Sequence, residues 1–292
     1  MGRNRFLWKF RRKRSILIDH IPTEEEFAVI RLIAVDMDGT LLDSSHRLPP
    51  GLFPVVRELK RRGVRFAVSS GRQYYNLLKL FEPVRDEVTF ICENGAIVFE
   101  NHRNVYCSEI GFDRLVEPLR AIRAIRGAEP VFCGLKSAYA ESRDPFFLEN
   151  ACRYYERLEI VPDILEAAKQ DKICKVAVFD AVDAESNCYV RLERFRDGFM
   201  VILSGSRWVD LMNPGVDKGV AIEALQRQFG IAPAECMAFG DYLNDCGMMR
   251  VCDYSYAMAN AHPGLKAVCR FEAKSNDENG VLEKIREFFP EL

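Results

Sequence analysis

Leu32-Ile33-Ala34-Val35-Asp36-Met37-Asp38-Gly39-Thr40-Leu41 is the stretch on which the reading of this chain turns. Four consecutive apolar residues end in a carboxylate, a second carboxylate follows two places on, and a glycine then turns the chain. An unbroken apolar run of this kind predicts a strand buried on both faces, as in a parallel sheet layered with helices. Carboxylates at i and i+2 of an extended chain face the same side. Crowding them is costly unless a cation is shared or one holds a proton. Magnesium meets that need, because it takes hard oxygen ligands and keeps several waters. An ordinary strand-to-turn Asp-Gly gives the same pattern, so its meaning depends on the rest of the chain.

Outward from this stretch the pattern is regular. Pro49 to Arg62 has helical spacing, with Leu52, Val55, Val56 and Leu59 on one side and Gly63 as a stop. Val64 to Val68 is a second short strand, Ser69-Ser70-Gly71-Arg72 a turn, Gln73 to Phe81 a helix, and Val88 to Cys92 a third strand. Strand and helix alternating over so few residues predict βαβ units. The same grammar returns late. Lys218 to Phe229 reads as a helix with Val220, Ala224 and Leu225 inward, followed by a strand at Met237 to Phe239 that ends at Gly240-Asp241. A short helix at Asn244 to Arg250, a strand at Tyr254 to Met258, and helices at Pro263 to Val268 and Val281 to Phe289 complete it.

The stretch between mixes its elements differently. Helices are expected at Phe112 to Ile125, Pro145 to Arg157 and Ala184 to Phe195. Strands are expected at Val131 to Ala140, Lys172 to Phe179, Met200 to Leu203 and Trp208 to Met212. The expected fold is therefore α/β, a Rossmann-like parallel core interrupted by an α+β insertion. The expected boundaries are a basic N-terminal extension at 1–30, a discontinuous core at 31–93 and 207–292, and an inserted unit at 94–206.

The totals narrow the function classes. A 48% apolar composition supports a sizeable core and argues against disorder. A net charge of −2 gives no reason to expect nucleic acid as a partner. The ten cysteines contain no C-x-x-C pair and no zinc spacing, so they read as reduced core residues, and a cytoplasmic location is expected. No apolar stretch is long enough to span a bilayer. The basic leader, with Arg3, Arg5, Lys9 and Arg11 to Arg14 among Phe6, Leu7, Trp8 and Phe10, reads as a solvated extension or as a membrane-surface or partner-binding segment.

Three further clusters bear on chemistry. Ser70-Gly71 ahead of a helix offers a hydroxyl and backbone N–H groups to a phosphate. Lys218-Gly219 opens a helix after Pro214-Gly215. Gly240-Asp241-Tyr242-Leu243-Asn244-Asp245 sets two carboxylates and an amide beyond an apolar strand. In a parallel sheet these strand ends converge on one crevice. The four motifs, in this order, resemble those of the haloacid dehalogenase-like phosphatase superfamily. Glu93-Asn94-Gly95-Ala96, Ala257-Met258-Ala259-Asn260-Ala261 and the long insertion resemble its Cof-type branch with a C2 cap. The likeness runs from about Leu32 to the C-terminus.

The resemblance implies a magnesium-dependent phosphatase acting on small phosphorylated metabolites, with a sugar phosphate or a nucleotide-like compound as substrate. It implies Asp36 as the nucleophile that becomes an aspartyl-phosphate and Asp38 as general acid and base. Asp36, the backbone carbonyl of Asp38 and Asp241 would hold Mg2+. Ser70, Gly71 and Lys218 would bind the phosphoryl group. Asp245 would orient Lys218 or a metal-bound water, and Asn244 would reach the metal shell or the substrate. Arg72 and Asn94 are candidate substrate contacts. Tyr242-Leu243 departs from the small polar residue many relatives carry there. A phosphomutase and a non-catalytic homologue are the alternatives.

Overall fold

The computed structural model describes residues 30–292. The basic leader expected at 1–30 lies, except for Ile30, outside the described residues. The first part of the chain forms β1 (Leu32–Asp36), α1 (Leu52–Arg61), β2 (Arg65–Ser69), α2 (Tyr74–Leu80), β3 (Val88–Cys92), β4 (Ile97–Glu100) and β5 (Arg103–Cys107). The middle forms α3 (Phe112–Arg123), β6 (Ala128–Gly134), β7 (Ala138–Ala140), α4 (Pro145–Ala151) and β8 (Leu158–Ile160). It continues with α5 (Ile164–Ala168), β9 (Ile173–Asp180), α6 (Val190–Leu192), β10 (Met200–Gly205) and β11 (Trp208–Met212). The last part forms α7 (Lys218–Phe229), β12 (Cys236–Gly240), α8 (Cys246–Val251), β13 (Tyr254–Met258), α9 (Pro263–Lys266), β14 (Phe271–Ala273) and α10 (Gly280–Phe288).

These strands make two sheets. The larger runs β14-β13-β12-β1-β2-β3-β4-β5, so the strand that opens the reading is flanked by β12 and β2. Its pairings from β14 to β3 are parallel, and β4 and β5 add an antiparallel edge. Every residue of β1 is buried, as its apolar run predicts. The smaller sheet runs β10-β11-β9-β6-β7-β8 and is antiparallel except for β7 with β8. Among the described residues, no helix is long and apolar enough to cross a membrane.

Several details differ from expectation. The hairpin β4–β5 falls within the expected insertion, yet it extends the larger sheet. Its turn, Asn101-His102, has positive φ at both residues, the geometry that matches strand twist, but Asn-His is a weaker signal for it than Asn-Gly. Trp208–Met212, read among the insertion's elements but left beyond its expected boundary at 206, is a strand of the smaller sheet. It is held in a tight hairpin with β10, where Gly205 pairs with Trp208. The helix expected over Pro145 to Arg157 stops at Ala151. Gln73 then clamps the backbone of Arg157, donating to its carbonyl at 2.8 Å and accepting from its N–H at 3.0 Å.

The inward face of α7 also differs. Ala221, Ile222 and Leu225 are buried, whereas Val220 and Ala224 are only partly so. This stripe at i+3, i+4 and i+7 begins at Lys218, so the helix turns its first side chain into the interior. Two close approaches set its position. The N-cap Asp217 accepts the Val220 N–H at 2.8 Å. A Cβ on Gly219 would lie 2.6 Å from the Gly247 carbonyl carbon and oxygen on α8. Backbone cannot move aside as a side chain can, so Gly219→Ala is expected to destabilise the fold by about 1–3 kcal/mol. The urea midpoint should fall with an unchanged slope, and an unaltered midpoint would refute the contact.

Candidate active site

The carboxyl ends of β1, β2 and β12 meet where the parallel sheet predicts a crevice. Asp36 ends β1 and lies opposite Ser69 across the β1–β2 ladder. Asp241 follows Gly240 at the end of β12. Lys218 enters from the first turn of α7, fully buried, and donates to Asp36 and, at 2.6 Å, to Asp245 Oδ1. Asp245 Oδ2 accepts the backbone N–H groups of Asp241 at 3.1 Å and Tyr242 at 3.2 Å. Thr40 donates its hydroxyl to Asp241 Oδ1 at 3.1 Å. Gly39 makes that approach possible. Its φ is +80°, and a Cβ there would lie 2.3 Å from Asp241 Oδ2.

The electrostatics follow from this crowding. Burial pushes the Asp36 carboxyl up, Lys218 draws it back, Asp245 and Asp241 push it up again, and it rises from 3.8 to about 8. Burial opposes the charge on Lys218, but Asp36 and Asp245 outweigh it and hold its pKa above the usual lysine value. Burial, with Asp245 beside it, also raises Asp241. Oxygens of Asp36, Asp241 and Asp245 lie within 4.8 Å of one another. Three carboxylates against one ammonium leave a surplus of negative charge among hard oxygen donors, which suits a divalent cation. Both oxygens of Asp245 are already engaged, so Asp36 and Asp241 are the side chains that fit it.

The second carboxylate of the opening stretch goes elsewhere. The chain turns after β1, so Asp38 does not share the buried face of Asp36, and its side chain is 49% exposed. Arg72 grips it from the turn after β2, with contacts of 2.6 Å to Oδ1 and 3.3 Å to Oδ2. Arg72, expected as a substrate contact, is thus an ion-pair partner of Asp38. Ser70 is buried, and its hydroxyl accepts the Arg72 N–H at 3.2 Å, which leaves it able to donate outward. Asn94 lies against Gly71, where a Cβ would meet its amide nitrogen at 3.0 Å, and Asn244 reaches Asn94 at 3.4 Å.

Other residues around the site were given no role by the sequence reading, although Glu93 and Asn260 stand in motifs it quoted. Asn260 donates to the Gly39 carbonyl at 2.8 Å and braces the loop. Lys175 on β9 meets Glu93, just past β3, at 2.6 Å, with Asp210 of β11 at 3.8 Å. Here the signal was available. Lys175 interrupts the apolar run Ile173–Asp180, and Asp210 interrupts Trp208–Met212. A charge inside a buried strand calls for a partner.

The family model for haloacid dehalogenase-like hydrolases matches residues 33–285. A 5-amino-6-(5-phospho-D-ribitylamino)uracil phosphatase of Escherichia coli, YbjI, is 32% identical over 259 residues, covering 88% of this chain and 95% of that one. The chain belongs to the haloacid dehalogenase-like hydrolases. An HMP-PP phosphatase of Cronobacter sakazakii is 29% identical, over 81% of this chain and 87% of its own. A solved structure from Eubacterium rectale superposes with a TM-score of 0.80 at 29% identity, covering 89% of this chain and 99% of that one. The phosphatase class and Cof-type branch expected from the motifs are borne out.

The raised Asp36 carboxyl has a consequence for stability. A carboxyl raised on folding contributes stability below its unfolded pKa, near 3.8, and loses it as pH rises toward about 8. In chelator, the urea midpoint of the wild-type chain should therefore fall across that range relative to Asp36→Asn. A constant difference between the two proteins would show that the carboxyl is not perturbed.

Proposed function

We propose that the chain is a magnesium-dependent phosphatase that hydrolyses small organic phosphate monoesters through an aspartyl-phosphate at Asp36. The observation that supports this most is the buried ammonium of Lys218 in contact with the Asp36 carboxylate and steadied by Asp245. A carboxylate that attacks a phosphate dianion meets like charge, and a fixed cation beside both lowers that repulsion. Asp36, Asp241 and the Asp38 carbonyl would hold the ion. Bound there, it would offset the phosphate's charge as Asp36 approaches.

The residues then divide the work. Asp36 Oδ attacks phosphorus as the bond to the leaving oxygen breaks, and protonated Asp38 gives that oxygen its proton. Asp38, now a carboxylate, takes a proton from water. The resulting hydroxide displaces Asp36 and releases inorganic phosphate. Arg72, 2.6 Å from Asp38 Oδ1, holds that side chain in place beside the site. Ser70 and Lys218 hold the transferring oxygens, with Gly71 leaving room for Asn94. The smaller sheet, over about residues 108–212, serves as the cap that closes on the substrate. The sugar phosphate or nucleotide-like class accords with the phosphate esters named for the relatives. The free cysteines suit a reducing cytoplasm.

Phosphate release from a panel of phosphorylated metabolites is expected with Mg2+ and should stop on chelation. Asp36→Asn should reduce it to background, and acid quenching of the wild type should trap label on Asp36. Asp38→Asn should slow turnover by roughly 10²–10⁴-fold. Undiminished turnover by Asp36→Asn would refute the nucleophile.

A further inference from the structure

A cavity of about 450 Å³ opens in front of Asp38 and Arg72 and reaches Tyr154, Lys175, Trp208 and Asp210 on the other side. Strand alternation builds that far wall. Trp208 and Asp210 stand on one face of β11, and Lys175 and Phe179 on the same face of the neighbouring β9, while Val176, Val178, Val209 and Leu211 turn into a separate apolar cluster. Trp208 is fixed edge-on between Phe179 and Tyr155, with centroids 5.4 and 6.0 Å away. Tyr154 packs on it at 5.6 Å and stays 56% exposed. The wall is thus a rigid aromatic surface.

The charges around the cavity are unevenly committed. Arg72 is held by Asp38 at 2.6 Å, Lys175 by Glu93 at 2.6 Å, and Arg153 by Glu149 at 2.6 Å. Each arginine or lysine that lines the cavity therefore already faces a carboxylate. Asp210 is different. It is only 7% exposed, and among the described residues the cation nearest to its carboxylate is Lys175 at 3.8 Å, beyond hydrogen-bond range. A buried carboxylate with spare acceptor capacity favours a donor brought by the ligand.

We propose that this cavity selects a ring-bearing leaving group that is neutral or cationic and donates hydrogen bonds to Asp210. It rejects leaving groups that carry a carboxylate or a second phosphate. The inference rests on the phosphatase reading and adds the substrate class to it. A ring, whether a sugar or a heterocycle, lies against Tyr154 and Trp208 while its hydroxyl or amino groups reach Asp210. An anionic group in the same place meets the like charge of Asp210, whose neighbouring cation Lys175 is already held by Glu93.

The test uses the full chain with Mg2+ and acetyl phosphate as the turned-over substrate, since its small leaving group barely enters the cavity. Glucosamine 6-phosphate, glucose 6-phosphate and 6-phosphogluconate, which carry a cationic ring, a neutral ring and an acyclic carboxylate on one carbon count, are measured as competitors, with sorbitol 6-phosphate as the neutral acyclic control that separates ring from charge. The first two should compete at least roughly tenfold better than the third. Asp210→Asn, close in shape but uncharged, should narrow that gap. Equal competition by 6-phosphogluconate, no competition by any of the three, or an unchanged gap in a folded Asp210→Asn would overturn the inference. If that variant does not fold, the wild-type series decides alone. Failure to release phosphate from acetyl phosphate and from every compound of the metabolite panel would instead overturn the phosphatase reading, and this inference with it.

Discussion

The buried ammonium of Lys218, lodged between Asp36 and Asp245, is the interaction that the rest of the site depends on. It joins three separate parts of the chain: the end of β1, the start of α7 and the turn after β12. A charge in such a place is tolerated only with partners in good geometry, because removing one partner strands the others in the interior. The neighbouring structure answers that demand. Asp217 caps α7, glycines at 219 and 247 let α7 and α8 approach backbone to backbone, and Asp245 is pinned by two N–H groups. Asp36 is thereby held beside a cation before any substrate arrives. Preorganised charge of this kind needs no rearrangement when a phosphate dianion enters.

A second buried ion pair connects the two sheets. Glu93 follows the last parallel strand of the larger sheet, and its partner Lys175 stands on the smaller one. Gln73 adds a two-point clamp on the Arg157 backbone. Both contacts border the cavity, so the elements that bring the sheets together also shape the space in front of Asp38. On the proposed reading, chemistry at phosphorus is confined to the larger sheet's strand ends, and the surface that would meet the leaving group belongs mainly to the smaller sheet.

Much of this was legible in the chain itself. The apolar run Leu32 to Val35 predicted a doubly buried strand, and the spacing of Leu52, Val55, Val56 and Leu59 predicted one helix face, as the structure has them. Asp36, Ser70, Lys218, Asp241 and Asp245 stood out because each follows a strand or opens a helix, where backbone geometry aims side chains at a common edge. The partners of those side chains were not legible. An i, i+2 rule put Asp36 and Asp38 together, but the turn at Gly39 parts them, and Asp38 goes to Arg72 from a different strand end. Helical periodicity put Val220, Ala224 and Leu225 on the inward face of α7, whereas Ala221, Ile222 and Leu225 pack there, and that turn of the helix buries Lys218.

Local pattern thus determined which elements form and which residues have the chemistry, because burial on both faces and helical spacing are properties of neighbours in sequence. Only the tertiary structure decided which sheet received Trp208–Met212, which carboxylate met which cation, and which face of β9 and β11 looked into the cavity. Those outcomes rest on contacts between residues far apart in the chain, where hairpin pairing, backbone approach at glycine and the need to neutralise buried charge compete. The opening run Asp36-Met37-Asp38 shows both halves: its sequence marks a reactive strand end, and its fold sends the two carboxylates to different partners.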